Sequence, residues 1–506
     1  MHRTVLFVYY VLFLVKNGVM NPTKIEKNIY LLPVVRRSTA LNPISALKIS
    51  TNKNQIKMKK NVFLSCLIIS ISSFSFGQSS LKPKISTAAD AIESKVIAWR
   101  RDMHQNPELS NREFKTAEKI AAHLRSLGIE VQEKVAFTGV VGILRGGKPG
   151  PVVGLRADID GLPVTERVDV PFKSKVKTDY NGQSTGVMHA CGHDTHIAIL
   201  MGVAEVLASM KGELAGTVKF IFQPSEEGAP RGEEGGAELM IKQGVLENPK
   251  VDAIFGLHIN AQTEVGTIKF KSGAEMAAVD SYAIKVKGRQ AHGSAPWSGV
   301  DPIVTSAQIV MGLQTIVSRN LEITEGAAVV TVGAINGGIR ENIIPEEVKM
   351  IGTIRSFSEK HRALIHRRIT EIATNIAESA GATAEVEIFK LYPVTINDAD
   401  LTRLMTPTLQ NVAGLENVIM MPAPSTGAED FSFFQQKVPG FFYFLGGMPK
   451  GKNPAEAGSH HTPDFYIDES GLMLGVKSLS SLTVDYMENA TTKATPSVMS
   501  KKIKSK

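Results

Sequence analysis

The sequence predicts an α/β protein of two domains, with the smaller domain inserted into the larger one. The chain of 506 residues is too long for one compact hydrophobic core. Short apolar runs alternate with helical stretches through the first half of the chain, which is typical of buried strands covered by helices. The pattern changes between residues 276 and 392 and then returns, which indicates an insertion.

The first part of the larger domain is predicted to span residues 78–275. The second of its opening helices takes Asn111 as its N-cap and ends at Gly128. Its elements, in chain order, are helices over 88–104 and 112–127, strands around Val131 and over 140–144 and 152–155, a helix over 195–210, a strand over 218–222, a helical segment over 237–243 and a strand over 253–257. The uniformly apolar strands belong in the interior of a sheet.

Residues 276–392 predict a ferredoxin-like β-α-β-β-α-β unit, which we call the satellite domain. Its elements are a strand over 281–286, a helix over 302–318, strands over 327–335 and 348–356, a helix over 359–379 and a strand over 384–389. The chain then returns to the larger domain over 393–490, including an apolar strand over 441–445. Residues 491–506 are predicted to be a basic, disordered tail.

Residues 58–77 have the pattern of a secretory signal peptide: Met-Lys-Lys, an apolar stretch over 62–74, and small residues at a cleavage site. We therefore expect an exported protein, periplasmic or secreted, that begins near Gln78. The apolar stretch is shorter than the roughly 20 residues that span a bilayer, so a stable membrane anchor is not expected. Residues 1–57 are interpreted as an upstream extension from a misplaced start codon, despite an apolar run over 4–15.

The net charge of +8 does not predict nucleic-acid binding. Residues 1–77 hold eleven Lys or Arg and one acidic residue, whereas the rest of the chain holds 46 basic and 48 acidic residues. A nucleic-acid interface needs its basic excess on a folded surface. Here that excess lies in the leader and in the Lys-rich tail after Thr492.

The segment Met188–His196, M-H-A-C-G-H-D-T-H, is the densest group of metal donors in the chain. Cys66 lies inside the predicted signal peptide, so Cys191 has no cysteine partner in the mature chain. A lone cysteine is usually an inert buried residue, but Cys191 has imidazoles on both sides. Thiolate, imidazole and carboxylate groups are the donors that hold zinc and similar ions. The segment therefore predicts a metal site.

Polar side chains follow three of the predicted strands. They are Arg156, Asp158 and Asp160 after the first, Gln223, Glu226 and Glu227 after the second, and His258 after the third. Taken singly, a lone histidine is more often structural and a carboxylate pair is more often a solvated face. Binding sites of open α/β sheets lie beyond the carboxyl ends of the strands, so the shared position indicates one site. In an extended segment, Cys191 and His193 would face the same side.

Ten motifs in this order resemble those of the dinuclear metal amidohydrolases of the aminoacylase and carboxypeptidase G type, in the branch of hippurate hydrolases and indole-acetyl-amino acid hydrolases. They are R-R-D-M-H-Q-N-P-E-L at Arg100, L-R-A-D-I-D-G-L-P at Leu155, M-H-A-C-G-H-D-T-H at Met188, Q-P-S-E-E-G at Gln223, G-L-H-I at Gly256, A-H-G-S-A-P at Ala291, E-N-I-I-P at Glu341, G-T-I-R-S-F at Gly352, G-A-E-D-F at Gly427 and H-T-P-D-F at His461. The resemblance implies a mixed-sheet, zinc-peptidase-like catalytic domain that carries the satellite as a lid and dimerisation domain.

The resemblance also implies which residues act. Cys191 would bridge two divalent metal ions, with His193, Glu227, His258 and His461 as the remaining ligands. Glu226 would be the general acid/base that takes a proton from water and returns it to the departing amine. Zinc and manganese fit the donors best, and cobalt and nickel are also compatible. We do not expect His196, in the first turn of the next helix, to be a ligand.

The implied substrate is a small-molecule N-acyl amino acid or a small peptide. His292 of the satellite domain would stabilise the oxyanion. It would come from the same chain or from the other subunit of a homodimer that is joined through the satellite domain. Asn342 and Arg355 would bind the substrate carboxylate, for which a guanidinium fork is well suited. The alternative is that Asn342 and Arg355 only brace the ends of strands.

Two other classes of function stay open. Cys191 could be the nucleophile of a thiol amidohydrolase with His193 as base, although residues two apart in a tight segment are poorly placed for a dyad. The chain could also be an inactive binding protein on the same scaffold, although it keeps the Glu226 carboxylate. An insertion after Q-P-S-E-E-G adds a second acidic pair, Glu233 and Glu234, and we expect it to reshape the rim of the pocket.

Overall fold

The computed structural model describes the backbone of residues 81–494 and the side chains of residues 81–490. The predicted upstream extension and signal peptide, and the tail beyond Ala494, lie outside the described residues. Within residues 81–494, no helix is both long enough and apolar enough to cross a membrane.

The described residues alternate between helices and strands, as expected for an α/β protein. The helices are α1 (Lys82–Asp90), α2 (Glu93–Gln105), α3 (Phe114–Ser126), α4 (His193–Ser209), α5 (Gly236–Lys242), α6 (Pro302–Thr315), α7 (Glu359–Ser379), α8 (Ala399–Ala413), α9 (Phe431–Gln435) and α10 (Leu472–Ala494). The strands are β1 (Glu130–Val135), β2 (Gly139–Arg145), β3 (Lys148–Asp158), β4 (Lys177–Tyr180), β5 (Gln183–Gly186), β6 (Ala215–Gln223), β7 (Ala253–Glu264), β8 (Ile268–Phe270), β9 (Gly273–Met276), β10 (Ala278–Lys287), β11 (Ala291–His292), β12 (Ala328–Gly337), β13 (Ile343–Ile344), β14 (Glu347–Ser356), β15 (Thr383–Tyr392), β16 (Thr395–Asn397), β17 (Val418–Met420) and β18 (Gly440–Met448).

The larger domain is built on an eight-stranded mixed sheet in the order β1-β2-β6-β3-β7-β18-β8-β17. Its four central strands, β6, β3, β7 and β18, run parallel, so their carboxyl ends share one edge of the sheet. Helix α4 is buried along nearly its whole length, and its apolar residues join the main hydrophobic core. The central strands are therefore covered, as parallel strands require.

The satellite domain is a four-stranded antiparallel sheet in the order β12-β14-β10-β15, with a hydrophobic core of its own. Tyr282 and Ile284 of β10 pack in that core with Leu313 of α6 and Ile365 of α7. The chain order β10-α6-β12-β14-α7-β15 is the β-α-β-β-α-β order expected from the sequence. The predicted fold class, an α/β catalytic domain with a ferredoxin-like insertion, is confirmed.

Three local predictions were wrong. The helix expected over 88–104 is two helices, α1 and α2. Asn111 is not the N-cap of the next helix, because α3 begins at Phe114 with Glu113 at the N-cap position. Asn111 has a left-handed backbone (φ 58°), and its side-chain amide donates to the carbonyl of Glu234. Helix α10 continues to Ala494, so the first residues of the expected disordered tail are helical.

A buried carboxylate ties together three elements of the satellite domain. Asp280 of β10 accepts hydrogen bonds from Arg362 Nη2 (2.6 Å) and His366 Nε2 (2.6 Å) of α7, and from the Leu391 amide (2.9 Å) of β15. Burial alone would raise the pKa of Asp280, but the hydrogen bonds from Arg362, His366 and Leu391 lower it to about 2. The ionised carboxylate therefore stabilises the folded satellite domain.

We predict that Asp280→Asn lowers the free energy of unfolding of the satellite domain by about 2 kcal/mol at pH 7. The carboxylate stabilises the fold above its unfolded-state pKa of about 4, and this contribution is lost as the pH falls toward 2. In urea unfolding, the difference in the free energy of unfolding between wild type and variant should thus decrease from pH 5 to pH 2. The exposed Asp179→Asn is the control and should be near neutral. A difference that does not change with pH would contradict this account.

Candidate metal centre

The polar side chains predicted at the strand ends do meet at one edge of the large sheet. Asp158 is the last residue of β3, and Glu226 and Glu227 follow the end of β6. His258 instead lies inside β7, which continues to Glu264 beyond the predicted end at Leu257. Its ring still reaches the same edge, because β7 pairs in parallel with β3.

A tight turn brings Cys191 and His193 to this edge. The expectation of an extended segment was wrong: Gly192 has φ +92° and is the N-cap of α4, and His193 is the first residue of that helix. A Cβ atom at position 192 would lie 2.3 Å from Ile259 Cγ2, so the turn needs glycine for its conformation and for space. The thiol and the imidazole nevertheless reach one cluster with Glu227, with ligand atoms within 4.8 Å of one another.

The five predicted ligands converge on the Cys191 sulfur and the Glu227 carboxylate. Cys191 Sγ lies 3.4 Å from His258 Nε2 and 3.2 Å from His461 Nε2. His461 Nε2 is 3.0 Å from Glu227 Oε1, and His193 Nε2 is 4.0 Å from the same oxygen. The structure thus brings together five donors that are up to 270 positions apart in the chain.

The ring of His193 has a buried nitrogen without a hydrogen-bond partner. Its Nδ1 donates to the carbonyl oxygen of Asp160 at 2.9 Å and lies 3.2 Å from Asp160 Oδ1. This contact places a proton on Nδ1, and it leaves the buried Nε2 without a hydrogen-bond partner. A bound metal ion is the natural partner for such an atom, and the donor set therefore fits a metal site.

Burial raises the pKa of the Cys191 thiol well above its ordinary value, and the neighbouring Glu227, Glu226 and Asp158 carboxylates raise it further. This environment disfavours a free thiolate, which is the form that a thiol hydrolase requires. A divalent cation at the cluster would offset the surrounding negative charge and favour thiolate ligation. The surroundings of Cys191 therefore favour metal binding over nucleophilic catalysis.

Both ring nitrogens of His196 are already used. Its Nδ1 lies 2.5 Å from Asp158 Oδ1, and its Nε2 accepts a hydrogen bond from the Ile259 amide at 2.8 Å. No lone pair remains for a metal ion. His196 instead fixes the backbone next to His258 in β7.

Glu226 is buried among other carboxylates. It forms a cluster with Glu429 and Asp430 of the G-A-E-D-F motif, with oxygen atoms within 4.8 Å of one another. Burial raises the pKa of Glu226 well above that of an ordinary glutamate, and Glu429, Glu227 and Asp430 raise it further. A carboxyl group with a raised pKa holds a proton more readily, which suits a general acid/base.

The second acidic pair lies apart from these donors. Glu233 Oε1 pairs with Arg112 Nη2 at 2.6 Å, and Glu234 Oε1 pairs with Lys242 Nζ at 2.8 Å. Both ion pairs include exposed side chains. The Glu226 and Glu227 pair is therefore the one that belongs to the site.

The three predicted substrate-binding residues lie in the satellite domain. His292 and Asn342 are exposed neighbours, because β11 pairs with β13 and the Gly293 amide donates to the Asn342 carbonyl. Arg355 is partly buried on β14 and donates through Nη1 to Thr353 Oγ1 at 2.6 Å. Within residues 81–490, none of the hydrogen bonds or ion pairs joins these three side chains to the five metal donors.

Comparison with known proteins assigns the chain to a family. A model of peptidase family M20/M25/M40 matches residues 154–485. The chain belongs to this family. Thermostable carboxypeptidase 2 of Saccharolobus solfataricus is 40% identical over 408 residues, which cover 80% of this chain and 99% of that protein. N-acetylcysteine deacetylase of Bacillus subtilis is 38% identical over 402 residues, which cover 79% of this chain and 99% of that protein.

A solved structure in the M20 family has the same architecture. The YXEP protein of Bacillus subtilis, a dinuclear metal binding peptidase, is 35% identical with a TM-score of 0.65, and the match covers 79% of this chain and 99% of that chain. The resemblance stated from the motifs is confirmed. This M20 protein is a metal-dependent hydrolase of a family that binds two metal ions.

The M20 centre includes residues to which the sequence analysis gave no role. Glu429 and Asp430 surround Glu226, and the only indication in the sequence was that two acidic residues stand together in a motif. Tyr392, the last residue of the satellite domain, donates its hydroxyl to the carbonyl oxygen of Glu226 at 2.6 Å. A tyrosine at the end of a strand gives no local indication of such a contact.

We predict that Tyr392→Phe lowers kcat about 3- to 10-fold with little change in KM or metal content. The variant keeps the ring but leaves the Glu226 carbonyl without its donor, a loss of about 1 kcal/mol in positioning. Steady-state hydrolysis and metal analysis test this, with Tyr486→Phe in α10 as the matched control. A wild-type kcat in Tyr392→Phe would show that the hydroxyl does not position Glu226.

Proposed function

We propose that this M20 hydrolase cleaves the amide bond of N-acyl amino acids, in the manner of a hippurate hydrolase. One observation carries the proposal: the buried His193 Nε2 has no hydrogen-bond partner and lies 3.8 Å from Glu226 Oε2, beside the Cys191 thiol. The deacetylase and carboxypeptidase relatives both hydrolyse amide bonds, which supports the reaction class. The acyl group and the amino acid are to be found by assay.

Two divalent metal ions would be held by Cys191, His193, Glu227, His258 and His461. When bound, the ions would hold and acidify a water molecule and polarise the amide carbonyl of the substrate. A site of thiolate, imidazole and carboxylate donors favours zinc, and manganese, cobalt and nickel compete according to their availability.

Glu226 would move the proton in this reaction. Its carboxylate accepts a proton from the attacking water and then delivers that proton to the departing amine nitrogen. The raised pKa of Glu226 helps it to retain the proton between the two steps. Arg156 Nη2, 2.9 Å from Glu429 and 2.8 Å from Asp430, keeps the surrounding carboxylates balanced by positive charge.

The satellite domain would supply the substrate-binding groups. His292 Nδ1 accepts a hydrogen bond from the Ser294 amide at 3.0 Å, so its proton lies on Nε2, which can donate to an oxyanion. Arg355 forms no ion pair with a carboxylate among residues 81–490, and is free to bind the carboxylate of an amino acid together with Asn342.

A homodimer formed through the satellite domain would place His292 at the site of the other subunit. The exposed position of His292 supports this arrangement, since within residues 81–490 its side chain hydrogen-bonds to Ser294 and not to the metal donors of its own chain. Trp297, close to His292 in sequence, is 83% exposed and would be covered by such an interface. The leader sequence supports export of the enzyme to the periplasm or the medium.

We predict that Glu226→Gln lowers kcat by about 10²- to 10⁴-fold while the protein still binds two metal ions per chain. Glutamine keeps the size of the side chain but cannot exchange a proton. Hydrolysis of a panel of N-acetyl, N-benzoyl and N-indoleacetyl amino acids, with metal analysis, measures both effects. The exposed Glu234→Gln is the matched control and should keep wild-type activity.

Full activity in Glu226→Gln would contradict the assignment of the general acid/base. A chelator separates the remaining classes, because it should abolish activity of a metalloenzyme and spare a thiol hydrolase. A chain that binds metal and substrate but cleaves no member of the panel would favour the binding-protein alternative.

A further inference from the structure

His460 is a further imidazole at the metal centre, beside His193, His258 and His461, and none of the roles above includes it. Its Nδ1 lies 3.6 Å from Cys191 Sγ, and its Nε2 is 3.1 Å from the backbone nitrogen of Ala261 in β7. The ring packs against Phe465, with ring centroids 4.9 Å apart, and against His258, with centroids 5.4 Å apart. Contacts on several sides therefore fix the ring in one orientation.

The contact with Ala261 decides which nitrogen of His460 carries the proton. A backbone N–H group can only donate a hydrogen bond, so Nε2 must be the acceptor and must be unprotonated. In a neutral imidazole the proton is then on Nδ1, the nitrogen that faces the sulfur. A protonated nitrogen has no lone pair for a metal ion. If Nδ1 were a ligand instead, Nε2 would carry the proton and would oppose the Ala261 N–H.

We infer that His460 is not a metal ligand but a positioning residue that donates its Nδ1–H to the sulfur of Cys191. This inference rests on the proposed role of Cys191 as a metal ligand. The sulfur lies within 4.8 Å of a carboxylate oxygen of Glu227, whose negative charge repels a thiolate. An N–H donor aimed at the sulfur stabilises that thiolate and fixes its direction.

The neighbouring His461 differs from His460 in these respects. His461 Nε2 lies 3.2 Å from the same sulfur and 3.0 Å from Glu227 Oε1, and its side chain is 54% exposed. Its backbone has φ 62°, and its amide donates to the Ala190 carbonyl at 2.9 Å. This turn lets two consecutive imidazoles reach one sulfur atom. One of them, His461, is placed to bind the metal, and the other, His460, is placed to hydrogen-bond the sulfur.

The test uses the full chain loaded with cobalt(II), comparing wild type with His460→Leu and His460→Asn. Three properties are measured: metal ions per chain, affinity by competition with a chelator, and the sulfur-to-cobalt charge-transfer band. In His460→Leu we expect two ions per chain, an affinity about 10- to 100-fold weaker, and a band at longer wavelength, because the sulfur loses a hydrogen bond. In His460→Asn, the side-chain N–H can take the place of Nδ1–H, so the band and most of the affinity should be kept.

The matched control is His123→Leu, which removes an imidazole that contacts Trp99 edge to face, with centroids 4.6 Å apart, and that hydrogen-bonds to the Met201 carbonyl instead of to Cys191. It should leave the band unchanged. Loss of one metal ion per chain in both His460 variants would show that His460 is a ligand and would overturn the inference. An unchanged affinity and band in His460→Leu would also overturn it while leaving the proposed function intact. A wild-type protein that binds no cobalt would overturn both.

Discussion

The metal centre depends on a single carboxylate, Asp160. It lies beside His193 Nδ1, and its Oδ2 accepts hydrogen bonds from the Glu227 amide at 3.0 Å and from Ser110 Oγ at 2.7 Å. Burial alone would raise the pKa of Asp160, but the contacts with His193, Ser110 and the Glu227 amide lower it. One ionised group following β3 thus orients donors that come from α4 and from the segment after β6.

The surrounding charges have to be balanced because so many of them are buried. Arg156 is fully buried and pairs with Asp158 at 2.7 Å as well as with Glu429 and Asp430. Arg100 also balances a buried carboxylate, since its Nε lies 2.7 Å from Oδ2 of Asp194 in the first turn of α4. Removal of one partner from such a network leaves an uncompensated buried charge, which is strongly destabilising. The same excess of carboxylates favours a divalent cation at the donor cluster.

The parts of this structure that the sequence could predict are those with a local pattern. Apolar runs followed by polar residues located the end of β6 to within one residue and the end of β3 to within three residues. The apolar run before His258 predicted too early an end for β7, because β7 continues as an alternating strand in which Asn260 and Gln262 are polar. Gly192 could serve in an extended segment or in a left-handed turn, and the lack of space for a Cβ atom beside Ile259, far away in sequence, is visible only in the folded chain.

Other features depend on long-range contacts that no local pattern contains. A polar residue shortly before a helix is typical of an N-cap, but the Asn111 side chain hydrogen-bonds to the segment that carries Glu233 and Glu234. The link from Tyr392 to Glu226 joins residues 166 positions apart. The division of roles between His460 and His461 depends on the position of the Ala261 amide, which only the folded sheet defines.

The most direct test of the account is X-ray absorption on protein that has been loaded with two equivalents of zinc. If Cys191 bridges the two ions, each ion should have one sulfur neighbour among nitrogen and oxygen ligands, with the other ion about 3.5–4 Å away. The sulfur contribution should disappear in Cys191→Ser. Ions without a sulfur neighbour, or a spectrum that is the same in Cys191→Ser, would contradict the proposed centre.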